Sequence, residues 1–248
     1  MDETIQTLQR IIDESERIVF FGGAGVSTES GIPDFRSVDG LYSQRYKYPP
    51  EQMLSRSFYD SHPEEFFEFY RDKVICLEAR PNAAHQKLAE LEAAGRLTAV
   101  ITQNIDGLHT AAGSKNVIEL HGSVHRNFCQ SCGAAYSAEI VLDNPGPPVC
   151  TACGGRVKPD VVLYEEGLDT GAITRAVKAI SEADALIIGG TSLVVYPAAG
   201  LVDHYTGQRL VVINKQPTHK DAAADLLIAA PIGETLTKIR VQLGLAPG

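Results

Sequence analysis

Four cysteines stand in two close pairs that have the spacing of a metal site. Cys129 and Cys132 are separated by two residues, seventeen residues follow, and Cys150 and Cys153 form the second pair. Two such pairs are typical of the knuckles of a zinc ribbon, and four thiolates fill a tetrahedral shell with no open position. The spacing therefore predicts one structural Zn²⁺, with iron in the same four-sulfur site or two disulfides as the alternatives. The fifth cysteine, Cys76, is expected to be a core residue of a helix.

Small and polar residues follow four apolar segments of the chain. They are residues 22–25, 103–106, 189–192 and 214–215. In an open α/β sheet, ligands bind outside the carboxyl ends of the strands, so these four stretches are expected to converge on one crevice. Glycine, asparagine and serine also make ordinary turns, which is the alternative interpretation of each stretch taken alone. Together the four stretches predict a ligand site.

The first of these stretches matches part of a dinucleotide-binding fingerprint. Gly23 and Gly25 fit the first two glycines of G-x-G-x-x-G, but Thr28 stands at the third position. The glycines still remove side chains where a pyrophosphate must approach the backbone, and Ser27 and Ser30 add hydroxyl groups that favour an anion. The loop therefore indicates a nucleotide or sugar-phosphate site. The sequence lacks G-x-x-x-x-G-K-[ST], which disfavours ATP hydrolysis of the P-loop class.

Alternating strands and helices must position these residues. The apolar pattern predicts helices over 4–16, 64–78, 82–94, 170–182, 197–205 and 234–243, and strands over 17–21, 98–102, 117–120, 185–188, 210–213 and 226–229. Strands that alternate with helices and are apolar almost throughout predict an α/β fold with a doubly wound parallel sheet. The alternation stops over about 125–160, where Cys, Gly and Pro concentrate. That segment is expected to be a small module inserted into the fold.

The composition limits the classes of function. The 248 residues include 22 Lys and Arg against 31 Asp and Glu, which gives a net charge of −9, and 44% of the residues are hydrophobic. This composition is that of an ordinary globular protein, and so acidic a chain is a poor candidate for binding a nucleic-acid backbone. No run of about 18 apolar residues predicts a membrane span, and the acidic residues 1–4 are unlike a signal peptide. We therefore expect a cytoplasmic protein that binds neither nucleic acid nor a membrane.

Longer motifs carry a resemblance to a known family. The chain contains Gly-Ala-Gly-Val-Ser-Thr-Glu-Ser-Gly-Ile-Pro-Asp-Phe-Arg over 23–36, Thr-Gln-Asn-Ile-Asp-Gly-Leu-His over 102–109, Leu-His-Gly over 120–122 and Gly-Thr-Ser over 190–192. With the two cysteine pairs, the sequence resembles the sirtuin family of NAD-dependent protein lysine deacylases, in a bacterial form. The resemblance implies a Rossmann-like NAD-binding domain made of 1–36, 81–124 and 160–248. A smaller domain would combine a helical insertion, 37–80, with the zinc-ribbon module, 125–159.

The resemblance also implies the reaction, in which an acyl group moves from lysine to the ADP-ribose of NAD and leaves nicotinamide and O-acyl-ADP-ribose. The catalytic residues would be His121, as the base that deprotonates a ribose hydroxyl, and Asn104, which with Gln103 would position ribose hydroxyls and a water. Asp106 would accept a hydrogen bond from the carboxamide of the nicotinamide, and Phe35 would shield the ribose from water. The residues expected to contact NAD are Gly23, Ala24, Gly25, Thr28, Ile32, Asp34, Phe35, Arg36, Gln103, Asn104, Ile105, Asp106, His121, Gly190, Thr191, Ser192, Asn214, Lys215 and Ile232.

Acylated lysine peptides are the substrates that the resemblance implies, with nicotinamide as a product and inhibitor. The peptide would pair as a strand between 161–168 and 194–197, an arrangement that gives affinity with little side-chain specificity. The residues expected to contact the peptide or its acyl group are Tyr70, Lys73, Val162, Tyr164, Glu165, Val194, Val195 and Tyr196.

Two departures from the family pattern bear on specificity. Tyr164, Glu165 and Glu166 stand where the family usually has Phe-Gly-Glu, so Glu165 adds negative charge that favours basic residues beside the acyl-lysine. Tyr70 and Lys73 stand where desuccinylating relatives carry Tyr-x-x-Arg, and lysine lacks the bidentate fork of arginine. We therefore expect deacetylation as the main activity and desuccinylation as a weak one.

Other classes of function compete with a deacylase. A mono-ADP-ribosyltransferase would share the NAD site but would lack the lysine tunnel or the base, so the presence of His121 favours deacylation. A non-catalytic NAD sensor or a zinc-ribbon nucleic-acid module is a third class, and the acidic charge argues against the nucleic-acid module. An ordinary NAD dehydrogenase is disfavoured because nothing indicates a hydride-acceptor site and the fingerprint is broken at Thr28.

Overall fold

Short apolar strands and amphipathic helices account for most of residues 2–34, 40 and 47–241, the part of the chain that the computed structural model describes. The strands are β1 (Ile18–Gly22), β2 (Leu97–Thr102), β3 (Val117–Glu119), β4 (Gly122–Cys129), β5 (Ala135–Tyr136), β6 (Val157–Val161), β7 (Ala185–Gly189), β8 (Leu210–Ile213) and β9 (Leu226–Ile228). The α-helices are α1 (Glu3–Glu14), α2 (Pro50–Met53), α3 (Arg56–Ser61), α4 (Pro63–Phe69), α5 (Ala83–Ala93), α6 (Leu108–Ala111), α7 (Glu139–Leu142), α8 (Thr170–Glu182) and α9 (Ile232–Thr237). None of these described helices has both the length and the apolarity that a bilayer crossing requires.

Six of the strands form one parallel sheet in the order β3-β2-β1-β7-β8-β9. Helices α1, α5 and α9 pack on one face of this sheet, and α8 with the 3₁₀ turns Ala198–His204 packs on the other. This arrangement confirms the expected doubly wound α/β fold. The strand order reverses between β1 and β7, and the carboxyl ends of strands at such a reversal border a crevice where ligands bind.

A second, smaller sheet joins β4 antiparallel to β5 and β6. Helices α2, α3 and α4 and the π turn that follows, Tyr70–Val74, pack on it through an aromatic core that includes Phe58, Tyr59, Phe66 and Phe67. The guanidinium of Arg71 donates hydrogen bonds to the carbonyl oxygens of Pro145 and Gly146, at 2.7 and 3.1 Å. The helical segment before α5 and the segment that carries the cysteines therefore share one core.

Strands β4 and β6 join the crevice to the cysteine cluster. The first residue of β4, Gly122, follows His121 and pairs with Val161, while Cys129 at its other end pairs with Val157. Gly122 has a φ of +76°, and a Cβ there would collide with the carbonyl oxygen of Asp160, so the position requires glycine. The two strands hold His121 at a fixed distance from Cys129.

Three expected helices differ from the structure in extent or in helix type. The pattern over 64–78 folds as α4 and the π turn to Val74, and Ile75 is already extended. The pattern over 197–205 forms 3₁₀ turns over Ala198–His204, and α9 runs from Ile232 to Thr237 instead of over 234–243. Apolar spacing marks which face of a segment is buried, but it does not fix the last hydrogen-bonded turn.

Candidate functional site

A cleft of about 780 Å³ opens at the carboxyl ends of the parallel strands, beside the reversal between β1 and β7. Its volume falls in the range of small-molecule sites. It is lined by all the described residues that the sequence analysis expects at NAD, namely Gly23, Ala24, Gly25, Thr28, Ile32, Asp34, Gln103, Asn104, Ile105, Asp106, His121, Gly190, Thr191, Ser192, Asn214, Lys215 and Ile232. Phe35 and Arg36, which are also expected to contact NAD, lie outside the described residues.

The glycines of the cleft lie where the loops after β1 and β7 touch. The N–H of Gly25 donates to the carbonyl oxygen of Gly190 at 2.8 Å. A Cβ at Gly25 would lie 2.8 Å from that same oxygen, and a Cβ at Gly23 would lie 2.9 Å from Cβ of Thr191. Because side chains do not fit here, the two loops present bare backbone, which is the surface that a pyrophosphate needs.

Hydrogen bonds fix the polar side chains that follow β2. Nδ2 of Asn104 donates to Oγ of Ser27 at 3.0 Å, and the Ser27 hydroxyl donates to Oδ2 of Asp106 at 2.6 Å. On the other side, Nε2 of Gln103 donates to Oγ1 of Thr191 at 3.0 Å. The loops after β1, β2 and β7 are thereby joined through side chains. Ser27 is the residue that connects the first two loops.

His121 is the one histidine of the seven, all of them described, that lines the cleft. Its Nδ1 lies 2.9 Å from the carbonyl oxygen of Gln103. Because a carbonyl oxygen only accepts, Nδ1 carries the proton and Nε2 keeps its lone pair. Burial lowers the pKa of His121 below the usual 6.5, although the Gln103 bond acts in the opposite direction. His121 is therefore neutral near pH 7 and able to accept a proton.

The segment that contains Val162 and Tyr164 also lines the cleft and is paired along one edge. The N–H of Val162 donates to the carbonyl oxygen of His121, and the N–H of Tyr164 donates to that of Leu54, both at 3.0 Å. Glu165 and Leu193 have φ values of +76° and +52°, and they are the described non-glycine residues in the left-handed region. Strained backbone of this kind concentrates at ligand sites.

The two carboxylates of this segment have different partners. Glu165 accepts from the N–H and the hydroxyl of Ser57, at 2.8 and 2.9 Å. Glu166 forms ion pairs with Lys158 and Arg56, at 3.0 and 3.1 Å. Lys158 and Arg56 therefore balance the charge of Glu166. Ser57 is neutral, so its hydrogen bonds do not balance the negative charge of Glu165, which is exposed at the rim of the cleft.

Two of the residues expected at the substrate are placed elsewhere. Tyr70 is fully buried in the aromatic core, and its hydroxyl has no hydrogen-bond partner within 2–34, 40 and 47–241. Val194 is 50% exposed and is absent from the described lining of the cleft. Lys73 does line the cleft, with its ammonium 3.0 Å from Asp72. The structure thus does not present Tyr70 and Lys73 as a pair facing the cleft, while Val162, Tyr164, Glu165, Val195 and Tyr196 line it.

Two residues that the sequence did not single out hold the loop after β1. The carboxylate of Glu29 accepts from the N–H of Gly233 in α9 at 2.7 Å. Nδ2 of Asn82 donates to the carbonyl oxygen of Val26 at 2.8 Å. Asn82 is also the N-cap of α5, and a carboxylate in a glycine-rich loop is the only local hint for Glu29. Both partners lie far along the chain, so spacing carries no signal for either contact.

The four paired cysteines come together in one cluster whose sulfur atoms lie within 4.8 Å of one another. Sγ of Cys129 lies 3.5 Å from that of Cys153, and Sγ of Cys132 lies 3.6 Å from that of Cys150. Zn–S bonds of about 2.3 Å in a tetrahedron separate the sulfurs by roughly 3.8 Å, whereas a disulfide needs about 2.05 Å. The cluster fits a structural zinc ion held by four thiolates, and it does not fit two disulfides.

Comparisons with known proteins agree with this geometry. A family model described as the Sir2 family matches residues 23–197. An NAD-dependent protein deacetylase of Clostridium acetobutylicum is 58% identical over 240 residues, which cover 96% of this chain and 98% of that protein. One from Clostridium perfringens is also 58% identical, over 242 residues that cover 96% and 99%. A solved structure described as Sir2 with a p53 peptide and NAD⁺ has a TM-score of 0.85 and 39% identity, and covers 96% of this chain and 97% of that chain.

Proposed function

We propose that this chain, which belongs to the Sir2 family, is an NAD-dependent protein lysine deacetylase that transfers the acetyl group to ADP-ribose. The observation that carries the proposal is the position of His121 between two halves of one cleft. Its side chain lines the same cleft as the loops after β1 and β7, whose bare backbone suits a pyrophosphate. Its carbonyl oxygen accepts a hydrogen bond from the N–H of Val162, in the expected peptide segment. A neutral base at the junction of a nucleotide half and a peptide half is what acyl transfer between the two requires.

The nucleotide half would bind NAD along the carboxyl ends of the strands. The backbone of residues 23–25 and 190–192 would hold the pyrophosphate, with the hydroxyls of Thr28, Thr191 and Ser192 beside it. Asn214, Lys215 and Ile232 would surround the adenosine. The nicotinamide would lie near Ala24, Ile32 and Ile105, where Asp106 is fixed by Ser27 and accepts from the carboxamide.

His121 would perform the proton transfer. Once the nicotinamide bond has been cleaved, Nε2 would accept the proton of a ribose hydroxyl as that oxygen bonds to the acyl carbon. The bond between the acyl carbon and the lysine nitrogen would break in the transfer, and the lysine would leave as a protonated amine. Nδ1 would keep its hydrogen bond to the Gln103 carbonyl throughout. Asn104 and Gln103 would hold the ribose hydroxyls and a water at fixed positions, because their own amides are held by Ser27 and Thr191. The cleavage of the nicotinamide bond is chemistry that NAD itself supplies when it is bound.

The peptide half would accept the substrate as an added strand between 161–168 and 194–197. Backbone hydrogen bonds of this type give affinity without strict sequence specificity. Val162, Ile105 and Val195 would form the apolar wall around the acyl-lysine chain. The strained backbones at Glu165, within the first segment, and at Leu193, directly before the second, support this placement.

The domain division and the compartment are further parts of the proposal. The two sheets with separate cores support an NAD-binding domain of 1–36, 81–124 and 160–248 and a small domain of 37–80 and 125–159. Four clustered cysteines that are not joined as disulfides are typical of reducing compartments, which supports a cytoplasmic location.

The test is an incubation with NAD and an acetyl-lysine peptide, followed by mass spectrometry. We expect nicotinamide and deacetylated peptide in equal amounts, each dependent on both substrates. ADP-ribose attached to a protein would instead favour the mono-ADP-ribosyltransferase. NAD binding without consumption would favour a sensor.

The pH dependence of kcat/KM should report the neutral form of His121. Burial lowers the pKa of His121, so the base stays neutral as the pH falls through 6.5 and is protonated only at lower pH. We expect activity to be level from pH 8 to about 7 and to fall with a midpoint below 6.5. A rate profile recorded with saturating NAD checks this. A midpoint at or above the ordinary histidine value would contradict the assignment.

Basic residues beside the acetyl-lysine should favour turnover, because Glu165 keeps its negative charge at the rim. We expect kcat/KM to be about two- to fivefold higher for a peptide with basic flanks than for one with acidic flanks, the size of an exposed ion pair. Glu165→Gln should remove the difference, and Glu182→Gln on α8 should keep it. Equal turnover of the two peptides by the unaltered chain would refute the role of Glu165.

Acetyl-lysine should be the preferred substrate over succinyl-lysine. The buried Tyr70 does not face the cleft, and Lys73 offers one ammonium that already lies beside Asp72. We expect deacetylation to be at least about tenfold faster, since no bidentate partner for the succinyl carboxylate is formed. Lys73→Arg should raise desuccinylation and leave deacetylation nearly unchanged. Faster turnover of the succinyl peptide by the unaltered chain would overturn this expectation.

A further inference from the structure

Two histidines that the proposed mechanism does not use are buried behind the cleft. His85 in α5 is 0% exposed and His109 in α6 is 2% exposed, and neither belongs to the described lining of the cleft. Their rings lie edge to face, with centroids 4.7 Å apart. Nε2 of His85 and both ring nitrogens of His109 have no hydrogen-bond partner among residues 2–34, 40 and 47–241. Because an unpaired polar group is costly to bury, such a pair calls for a physical explanation.

His85 holds the asparagine that caps its own helix. The backbone N–H of Asn82 donates to Nδ1 of His85 at 3.2 Å, and Oδ1 of Asn82 accepts from the N–H of Ala84 at 2.9 Å. Because an N–H only donates, Nδ1 keeps its lone pair and Nε2 carries the proton. Burial lowers the pKa of His85, although the charges of Asp106 and Glu29 act in the opposite direction. The ring is therefore neutral near pH 7, and Nδ1 stays an acceptor.

Asn82 extends this contact to the loop after β1. Its Nδ2 donates to the carbonyl oxygen of Val26 at 2.8 Å and to Oγ of Ser30 at 2.9 Å. These two contacts lie on either side of Ser27, whose hydroxyl bonds to Asp106 in the loop after β2. The asparagine therefore determines where the Ser27 hydroxyl lies.

His109 makes the corresponding contact from the loop after β2. It lies three residues after Asp106, whose carboxylate accepts from the N–H of Leu108 at the start of α6, at 2.9 Å. The ring of His109 contacts that of His85, and its centroid lies 6.0 Å from that of Phe20 in β1. The histidine pair thus fixes α5 against α6, and with them the separation of the two loops that Ser27 connects.

We propose that His85 and His109 are positioning residues for the nicotinamide end of the cleft. Through Asn82, His85 fixes the loop that carries Ser27. His109 keeps its neighbour in place against α6. The inference rests on the proposed NAD site, in which Asp106 accepts from the carboxamide. Neither histidine touches the ligand, so both act on nicotinamide through the hydrogen bond between Ser27 and Asp106.

The test removes the acceptor at position 85 and measures the nicotinamide end separately from the rest of the site. His85→Leu keeps much of the volume of the ring but cannot accept from Asn82. We expect the KM for NAD and the inhibition constant of nicotinamide to rise about three- to tenfold, as the loss of one hydrogen bond allows. The Kd for ADP-ribose, which lacks nicotinamide, should stay close to that of the unaltered protein.

Further variants distinguish positioning from simple destabilisation. Glutamine is an ordinary residue at this place in a capping box, because its side-chain oxygen can accept from the N–H of the cap. His85→Gln should therefore restore most of the nicotinamide inhibition. His109→Ala removes the ring that His85 contacts and should weaken the inhibition. Ile180→Val, in the core on the other face of the sheet, should lower the melting temperature and leave nicotinamide inhibition unchanged.

The outcomes separate this inference from the proposed function. Unchanged nicotinamide inhibition in His85→Leu, or a loss that His85→Gln does not reverse, would overturn the inference and leave the NAD site standing. Equal losses of affinity for nicotinamide and ADP-ribose would also overturn it, because they would indicate a general loss of the fold. Normal inhibition in His109→Ala would overturn the role of His109. An unaltered protein that neither binds ADP-ribose nor is inhibited by nicotinamide would overturn the proposed function as well.

Discussion

His121→Ala is expected to lower kcat/KM for deacetylation by about 10²- to 10⁴-fold, the usual contribution of a general base. The substitution removes Nε2, and no other histidine lines the described cleft. The backbone contact between His121 and Val162 does not depend on the side chain, so the fold and peptide affinity should change little. Steady-state kinetics with an acetyl-lysine peptide, beside circular dichroism, checks the expectation.

A partial reaction distinguishes a base from a merely structural histidine. On the proposed mechanism, His121 acts after the nicotinamide bond has been cleaved. Exchange of labelled nicotinamide into NAD, in the presence of the acetyl peptide, should therefore persist in His121→Ala. His204→Ala, an exposed histidine outside the described cleft lining, should keep both reactions. Full deacetylation by His121→Ala would contradict the assignment.

Loss of the zinc ion is expected to unfold the small sheet and to abolish deacetylation. A structural zinc site contributes roughly 10–16 kcal/mol of apparent binding free energy in small metal-dependent peptides. This is as large as the whole free energy of unfolding of many domains. Strand β4 runs from Gly122, the residue after His121, to Cys129. Disorder at the cysteines would therefore displace His121 from its position in the cleft. We expect activity to fall at least about 100-fold, as misplacement of a catalytic group by about 1 Å can do.

Two cysteine variants provide the matched comparison. Cys150→Ala removes one of the four clustered thiolates, whereas Cys76→Ala removes the cysteine that lies outside the cluster. Metal analysis should find about one zinc per chain in the unaltered protein and in Cys76→Ala, and none in Cys150→Ala. Iron in place of zinc would show that the four-sulfur site is an iron site. A Cys150→Ala protein with normal activity and melting temperature would show that the cluster does not support the site.

The features that the sequence could predict are those with local signals. Apolar runs followed by Gly, Asn or Thr located the strand ends, and β1, β2, β7 and β8 bring those ends into one cleft. Cysteine spacing likewise located the four-sulfur cluster, because the two knuckles close over short distances. The identity of the base came from the family resemblance. The geometry adds a reason, since the Gln103 carbonyl selects the tautomer that leaves Nε2 available.

The features that the sequence could not predict depend on contacts between distant residues. Glu29 bonds to Gly233 across 204 positions, and Glu165 bonds to Ser57 across 108. Tyr70 illustrates a different limit, because its helical spacing is the same whether the ring faces the cleft or the core. Only the packing against Phe66 and Phe67 places it in the core.

The most direct test of acyl transfer to ADP-ribose follows the acetyl group itself. The peptide carries a ¹³C-labelled acetyl-lysine, and the products with NAD are resolved by mass spectrometry before any chemical hydrolysis. We expect the label to appear on ADP-ribose in an amount equal to the nicotinamide released. Label recovered from the outset as free acetate, with unmodified ADP-ribose beside it, would contradict acyl transfer and the role proposed for His121.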